Sequence, residues 1–106
     1  MRLEVGSGAI VGSTSICDGQ WHHVAAVLED DGTPNVKEVR LYVDGALEAL
    51  SSAGDRAIYT IVDSVDSPDL AIGVWLPAGR YFEGAIDEVR IYDRALSAAE
   101  VASLAE

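Results

Sequence analysis

Gly84-Ala85-Ile86-Asp87-Glu88-Val89-Arg90-Ile91-Tyr92, continued through Asp93-Arg94-Ala95-Leu96 into Ser97-Ala98-Ala99-Glu100-Val101, reads as a strand running directly into a helix start. With side chains alternating across a strand, Ala85, Asp87, Val89 and Ile91 share one face, and Ile86, Glu88, Arg90 and Tyr92 share the other. Asp87 therefore falls on an apolar face. Ser97 and Glu100 have the spacing of a capping box, in which the hydroxyl accepts from the Glu100 N–H and the carboxylate accepts from the Ser97 N–H. Leu96 and Val101 stand at the positions of a hydrophobic staple, and the residues from Ala98 onward favour a short helix.

Upstream, Val39-Arg40-Leu41-Tyr42-Val43 and Ala46-Leu47-Glu48-Ala49-Leu50 flank Asp44-Gly45. A type I′ turn needs positive φ at both central residues, so Asp-Gly between two such runs predicts a tight β-hairpin. Trp21-His22-His23-Val24-Ala25-Ala26-Val27-Leu28-Glu29 is apolar on both faces through its middle, as in a central strand, with Trp21 expected as a core anchor. Asp30-Asp31-Gly32-Thr33-Pro34-Asn35 ends it as a loop. Ala57–Val62 and Leu70–Trp75 read as further strands, separated by a polar loop over 63–69. Short alternating runs from Arg2 to Tyr92 with one terminal helix predict an all-β antiparallel fold.

Length and charge bound what this fold can do. The 106 residues suffice for one domain, residues 1–106. Eighteen acidic against seven basic side chains give a net charge of -11, which repels phosphate backbones and anionic membranes, so no nucleic-acid partner is expected. No run approaches the roughly 20 apolar residues that span a bilayer, so no membrane insertion is expected, and the opening residues lack the pattern of a secretory signal. Cys17 is the single cysteine, which excludes an intrachain disulfide and a thiolate metal site.

In order, Asp18-Gly19-Gln20-Trp21-His22-His23-Val24-Ala25, Val39 through Gly45, Leu70-Ala71-Ile72-Gly73 and Phe82-Glu83-Gly84 through Leu96-Ser97 resemble the laminin-G-like jelly rolls of the concanavalin A-like lectin and glucanase superfamily. The resemblance implies an antiparallel jelly-roll sandwich, N-terminally shortened, with a short C-terminal helix. It also implies a recognition module on an extracellular or cell-surface protein, lectin-like, with a glycan or a protein as ligand. Family domains carry further strands ahead of the Asp-Gly-x-Trp-His-His motif, here preceded by only a short segment. A shortened sandwich exposes ladder edges and apolar faces, so a homo-oligomer or a complementing partner chain is expected.

Candidate site residues follow from chemistry and resemblance together. Trp75, before a Leu-Pro turn, and Tyr81 beyond it are ligand-binding candidates, since an aromatic face can stack on a sugar ring. A carboxylate on an apolar face must be paired, hydrogen-bonded or cation-bound. Asp87 is thus expected to meet His22 or His23, or, by resemblance, calcium. Asp30 and Asp31 form a second candidate calcium site. His22 and His23 point to opposite faces and lack a nucleophile partner, which argues against catalysis. A glucanase on this superfold would present Glu, Asp and Glu on alternate positions of one strand; Glu83, Asp87 and Glu88 break that alternation, so no glycoside hydrolysis and no enzyme activity are expected.

Overall fold

The computed structural model of the chain describes residues 1–5, 8–58, 71–75 and 78–106. Its contacts divide into two compact units, one built from Met1–Tyr59 with Tyr92–Glu106 and the other from Thr60–Ile91.

In the first unit the hairpin forms as its turn chemistry requires. β4 (Arg40–Val43) pairs antiparallel with β5 (Ala46–Leu47) through Val43 opposite Ala46, and Asp44 and Gly45 take φ of 51° and 80°. β3 (Val24–Val27) lies on the other edge of β4, in register from Val24 opposite Val43 to Val27 opposite Arg40. A second sheet has β2 (Gly8–Gly12) at its centre, with β1 (Arg2–Val5) on one side and β6 (Leu50–Ala53) on the other. Both sheets are antiparallel throughout.

Two cores meet at β4. Leu41 packs with Ile10, Val36 and Val39, while its neighbour Tyr42 packs with Val27, Leu96 and Val101. Adjacent residues of a strand point to opposite faces, so β4 serves both cores at once. The second core is closed by α1 (Ala98–Leu104), which begins as its sequence requires: Ser97 Oγ accepts from Glu100 N, and Glu100 Oε2 accepts from Ser97 N at 2.8 Å. The staple residues Leu96 and Val101 are both buried. Arg94 adds a two-pronged contact to the same carboxylate, Nη1 to Oε2 at 3.0 Å and Nη2 to Oε1 at 2.7 Å. That guanidinium first, and the Ser97 N–H second, hold Glu100 down to a pKa of about 2.

The run Ala46–Leu50 is not one strand. It breaks at Glu48, and the chain leaves the β4 sheet to become β6 of the other. Glu48 is buried, and its Oε1 accepts from Ser13 N, Ser13 Oγ, Thr14 N and Thr14 Oγ1 at 2.8 to 3.0 Å. The side chain reaches those donors by crossing Gly12, where an added Cβ would lie 2.6 Å from Glu48 Cγ. Gly12 is also where the β2–β6 register shifts. Desolvation pushes the Glu48 carboxyl up, but the donors of Thr14 and Ser13 together outweigh it and hold its pKa below the ordinary value.

Two further expectations are corrected, and a third lies partly outside the described residues. Gly84–Tyr92 forms no strand: Glu88 sits at φ 53° in its middle, and Val89 and Ile91 are exposed. Trp21 is 70% exposed rather than a core anchor, because the ladder of β3 starts only at Val24. The strands expected over 57–62 and 70–75 are described only in part: Ala57 makes an isolated bridge with Asn35, Val74–Trp75 is a strand, and residues 59–70 lie outside the described residues. Among the described residues, no helix is long and apolar enough to cross a membrane.

Leu41→Ala should cost about 2–5 kcal/mol, as for other buried leucines, whereas Leu47→Ala, at a site 63% exposed on β5, should change stability by less than about 0.5 kcal/mol. Urea unfolding of the two variants checks this, and equal losses would refute the assignment of the core. Glu48 has a depressed pKa in the fold, so its stabilisation is complete above the unfolded carboxylate range and is lost as the pH falls through the folded value. Glu48→Gln should therefore flatten the acid limb of stability against pH, read as melting temperature between about pH 2 and pH 6.

Candidate functional site

The second unit presents the candidate ligand platform. β7 (Val74–Trp75) pairs antiparallel with β8 (Arg80–Tyr81), Val74 opposite Tyr81 and Trp75 opposite Arg80. Phe82 N donates to Gly73 O at 2.8 Å, so the pairing continues one step past the strands. Gly73, at φ 75°, lies under Ile86, whose Cδ1 would be 3.4 Å from an added Cβ. Tyr81 is 75% exposed and Phe82 60% exposed, with Ile72 and Ile86 also open to solvent. The register sets Trp75 and Tyr81 on adjacent strands one pair apart; where the Trp75 indole points lies outside what the structure describes. Exposed aromatic rings on a short hairpin offer apolar faces to a sugar or to an apolar side chain.

The carboxylates expected to hold calcium each accept from a backbone N–H close by in sequence. Asp87 is exposed, and its Oδ1 accepts from Glu88 N at 2.7 Å. It escapes the apolar face because the segment that would have buried it is not a strand. Asp30 Oδ1 accepts from Gly32 N at 2.8 Å, and Asp31 Oδ1 from Thr33 N at 2.9 Å and from Thr33 Oγ1 at 3.2 Å. Each of the two thus closes its own turn. Among the described residues, no three His, Cys, Asp or Glu side chains converge as a metal cage. Calcium needs six to eight oxygens around one point, and the described residues around Asp30 and Asp31 supply no such set.

The histidines are organised by residues far away in sequence. His22 Nδ1 faces Asp44 Oδ2 at 2.8 Å and His22 Nε2 faces Asp18 Oδ1 at 3.0 Å. Asp44 Oδ1 also accepts from His23 N at 2.9 Å, and Asp18 Oδ1 from Gln20 N at 2.9 Å. A neutral imidazole has one N–H, whereas ionised carboxylates only accept, so both contacts are made only by the imidazolium. Asp44 first and Asp18 second accordingly raise the His22 pKa, and the pKa values of both aspartates are lowered. With both nitrogens engaged, His22 is a clamp between the 18–23 segment and the Asp44-Gly45 turn and has no free nitrogen to act as a base. His23 Nδ1 is buried with no hydrogen-bond partner among the described residues. Neither Asp18 nor Asp44 stands out as a partner of His22 in the sequence, where the one is four and the other 22 residues away.

The sign of the shift fixes the pH dependence. A pKa raised in the fold gives stability that is complete below the unfolded histidine value and is lost as the pH rises through the folded one. Melting temperature should therefore fall from about pH 6 upward, and His22→Gln should remove that decline. Proton NMR gives a second reading: a His22 ring that titrates at or below the pKa of an unstructured histidine would contradict the clamp.

With this geometry in view, the comparisons with known proteins are specific about family and coarse about function. None of the curated proteins compared matches the chain. A solved structure of an S-layer domain-containing protein, residues 221–444, from Clostridium thermocellum ATCC 27405 is similar at 25% identity with a TM-score of 0.52. The likeness covers 92% of this chain and 45% of that one, so the chain spans less than half of its structural relative. A family model described as the concanavalin A-like lectin/glucanases superfamily, laminin G type, matches residues 2–102. With two antiparallel sheets around β4 and a match over nearly its full length, the chain belongs to the concanavalin A-like lectin/glucanases superfamily.

Proposed function

We propose that this chain is a non-catalytic recognition module of an extracellular or surface-attached protein, with a glycan or a protein as its ligand. The observation that carries the reading is the β7–β8 hairpin, which holds Tyr81 and Phe82 largely open to solvent. Rings held out this way stay exposed at a cost in water, and a ligand that stacks on them recovers part of it. The laminin-G-like resemblance and the S-layer relative support a surface location. A net charge of -11 favours neutral ligands over sulfated or sialylated ones.

A second reading has its own observation. Val89, Ile91 and Ile86 are all exposed, in a segment whose composition is that of a buried strand. Such a surface supports assembly, with another copy of the chain or with a complementing partner chain.

A glycan array probed with and without calcium tests the first reading. Binding of a neutral glycan, weakened about tenfold or more by Tyr81→Ala, is the expected outcome, in line with the loss of one stacked ring. Binding that survives this substitution would remove the platform, and turnover of a β-glucan would replace recognition by hydrolysis. Binding abolished by a chelator would make calcium a partner in recognition.

A further inference from the structure

We infer that Ile86–Tyr92 is an association strand for a second copy of this chain, paired antiparallel about Val89. The inference rests on the assembly reading above and specifies its surface and register. From Ala85 to Tyr92 the segment holds no glycine or proline and alternates in the manner of a strand, yet it forms no ladder with the described residues. Its strand pattern is interrupted at Glu88, a non-glycine residue at φ 53° whose N–H is held by Asp87 Oδ1 at 2.7 Å. Left-handed backbone at such a residue is uncommon, and a neighbouring strand would draw it back into the extended region. Ile91, 73% exposed, and Val89 then gain the cover that their composition calls for.

Charge selects the occupant. Antiparallel pairing about Val89 sets Glu88 of each copy opposite Arg90 of the other, twice over, and the next pair outward is Ile86 with Tyr92. One face of the joined strands therefore reads Ile-Tyr, Glu-Arg, Arg-Glu, Tyr-Ile and is complementary at every position. Pairing about Glu88 or about Arg90, or parallel pairing in register, would set like charges directly opposite each other. Arg90 Nη2 and Glu88 Oε2 lie 2.8 Å apart within one chain, so an exposed ion pair inside the chain competes with the two between chains. A basic peptide has no such match, since the segment itself carries both signs. Two chains of charge -11 repel at long range, but salt at about 0.15 M screens charges more than about 8 Å apart.

Sedimentation at rising concentration in about 0.15 M salt tests the inference, with circular dichroism checking that each variant is folded. The expected result is a monomer–dimer equilibrium, weakened about tenfold or more by Glu88→Arg and by Arg90→Glu, since each substitution turns two attractive cross-strand pairs repulsive. Mixing the two variants in equal amounts should restore dimers. In the mixed pair, each arginine again faces a glutamate, which a role for the ion pair inside one chain cannot reproduce. A monomer at every concentration overturns both this inference and the assembly reading. A dimer indifferent to either substitution, or a mixture that stays monomeric, overturns the register alone and leaves assembly standing.

Discussion

β4 has to bury both of its faces, and the rest of the first unit is arranged around that demand. Leu41 and Tyr42 are adjacent, so they point opposite ways, and each needs its own layer of apolar cover. Ile10 from the β1–β2–β6 sheet covers one, and the staple residues of α1 cover the other. A chain of this size has little apolar side chain to spend, and making one strand the shared wall of two small cores uses it twice. The C-terminal helix is for that reason part of the sandwich.

Polar side chains hold the joints between these layers. Glu48 ties the strand crossover to Ser13 and Thr14, and His22 ties the segment before β3 to the turn after β4. Both are carboxylate-centred, both join residues distant in sequence, and both are matched by enough donors to offset desolvation. A protein with so many acidic groups has spare carboxylates. The ones that join distant parts of the chain are those given several donors each, while the bonds of Asp30 and Asp31 lie within their own loop.

Legibility followed the range of the interaction. The Asp44-Gly45 turn and the Ser97–Glu100 cap are decided within a few residues, and both were readable from the residues alone. Glu48 sits 34 and 35 residues from its partners and resembles any other alternating position of a strand. Gly84–Tyr92 misled for the complementary reason: alternation records a face that can be buried, but a strand exists only where a neighbour supplies the ladder. Asp87 inherited that error, since its expected burial depended on the strand. The exposure of Tyr81 follows from its place on the short β7–β8 hairpin, which no spacing rule in the sequence could assign.

Asp44 carries a consequence for how this fold can vary over evolution. A type I′ turn accepts asparagine as readily as aspartate in front of glycine, so judged as a turn the position is free to drift. Here its two oxygens are committed separately, Oδ2 to the His22 ring and Oδ1 to the His23 amide. An asparagine would offer one acceptor and one donor, leaving either the imidazolium or the amide facing an N–H. The hairpin and the histidine segment are therefore inherited as a pair, and among relatives a change at position 22 should open position 44 to residues that the turn alone would always have allowed.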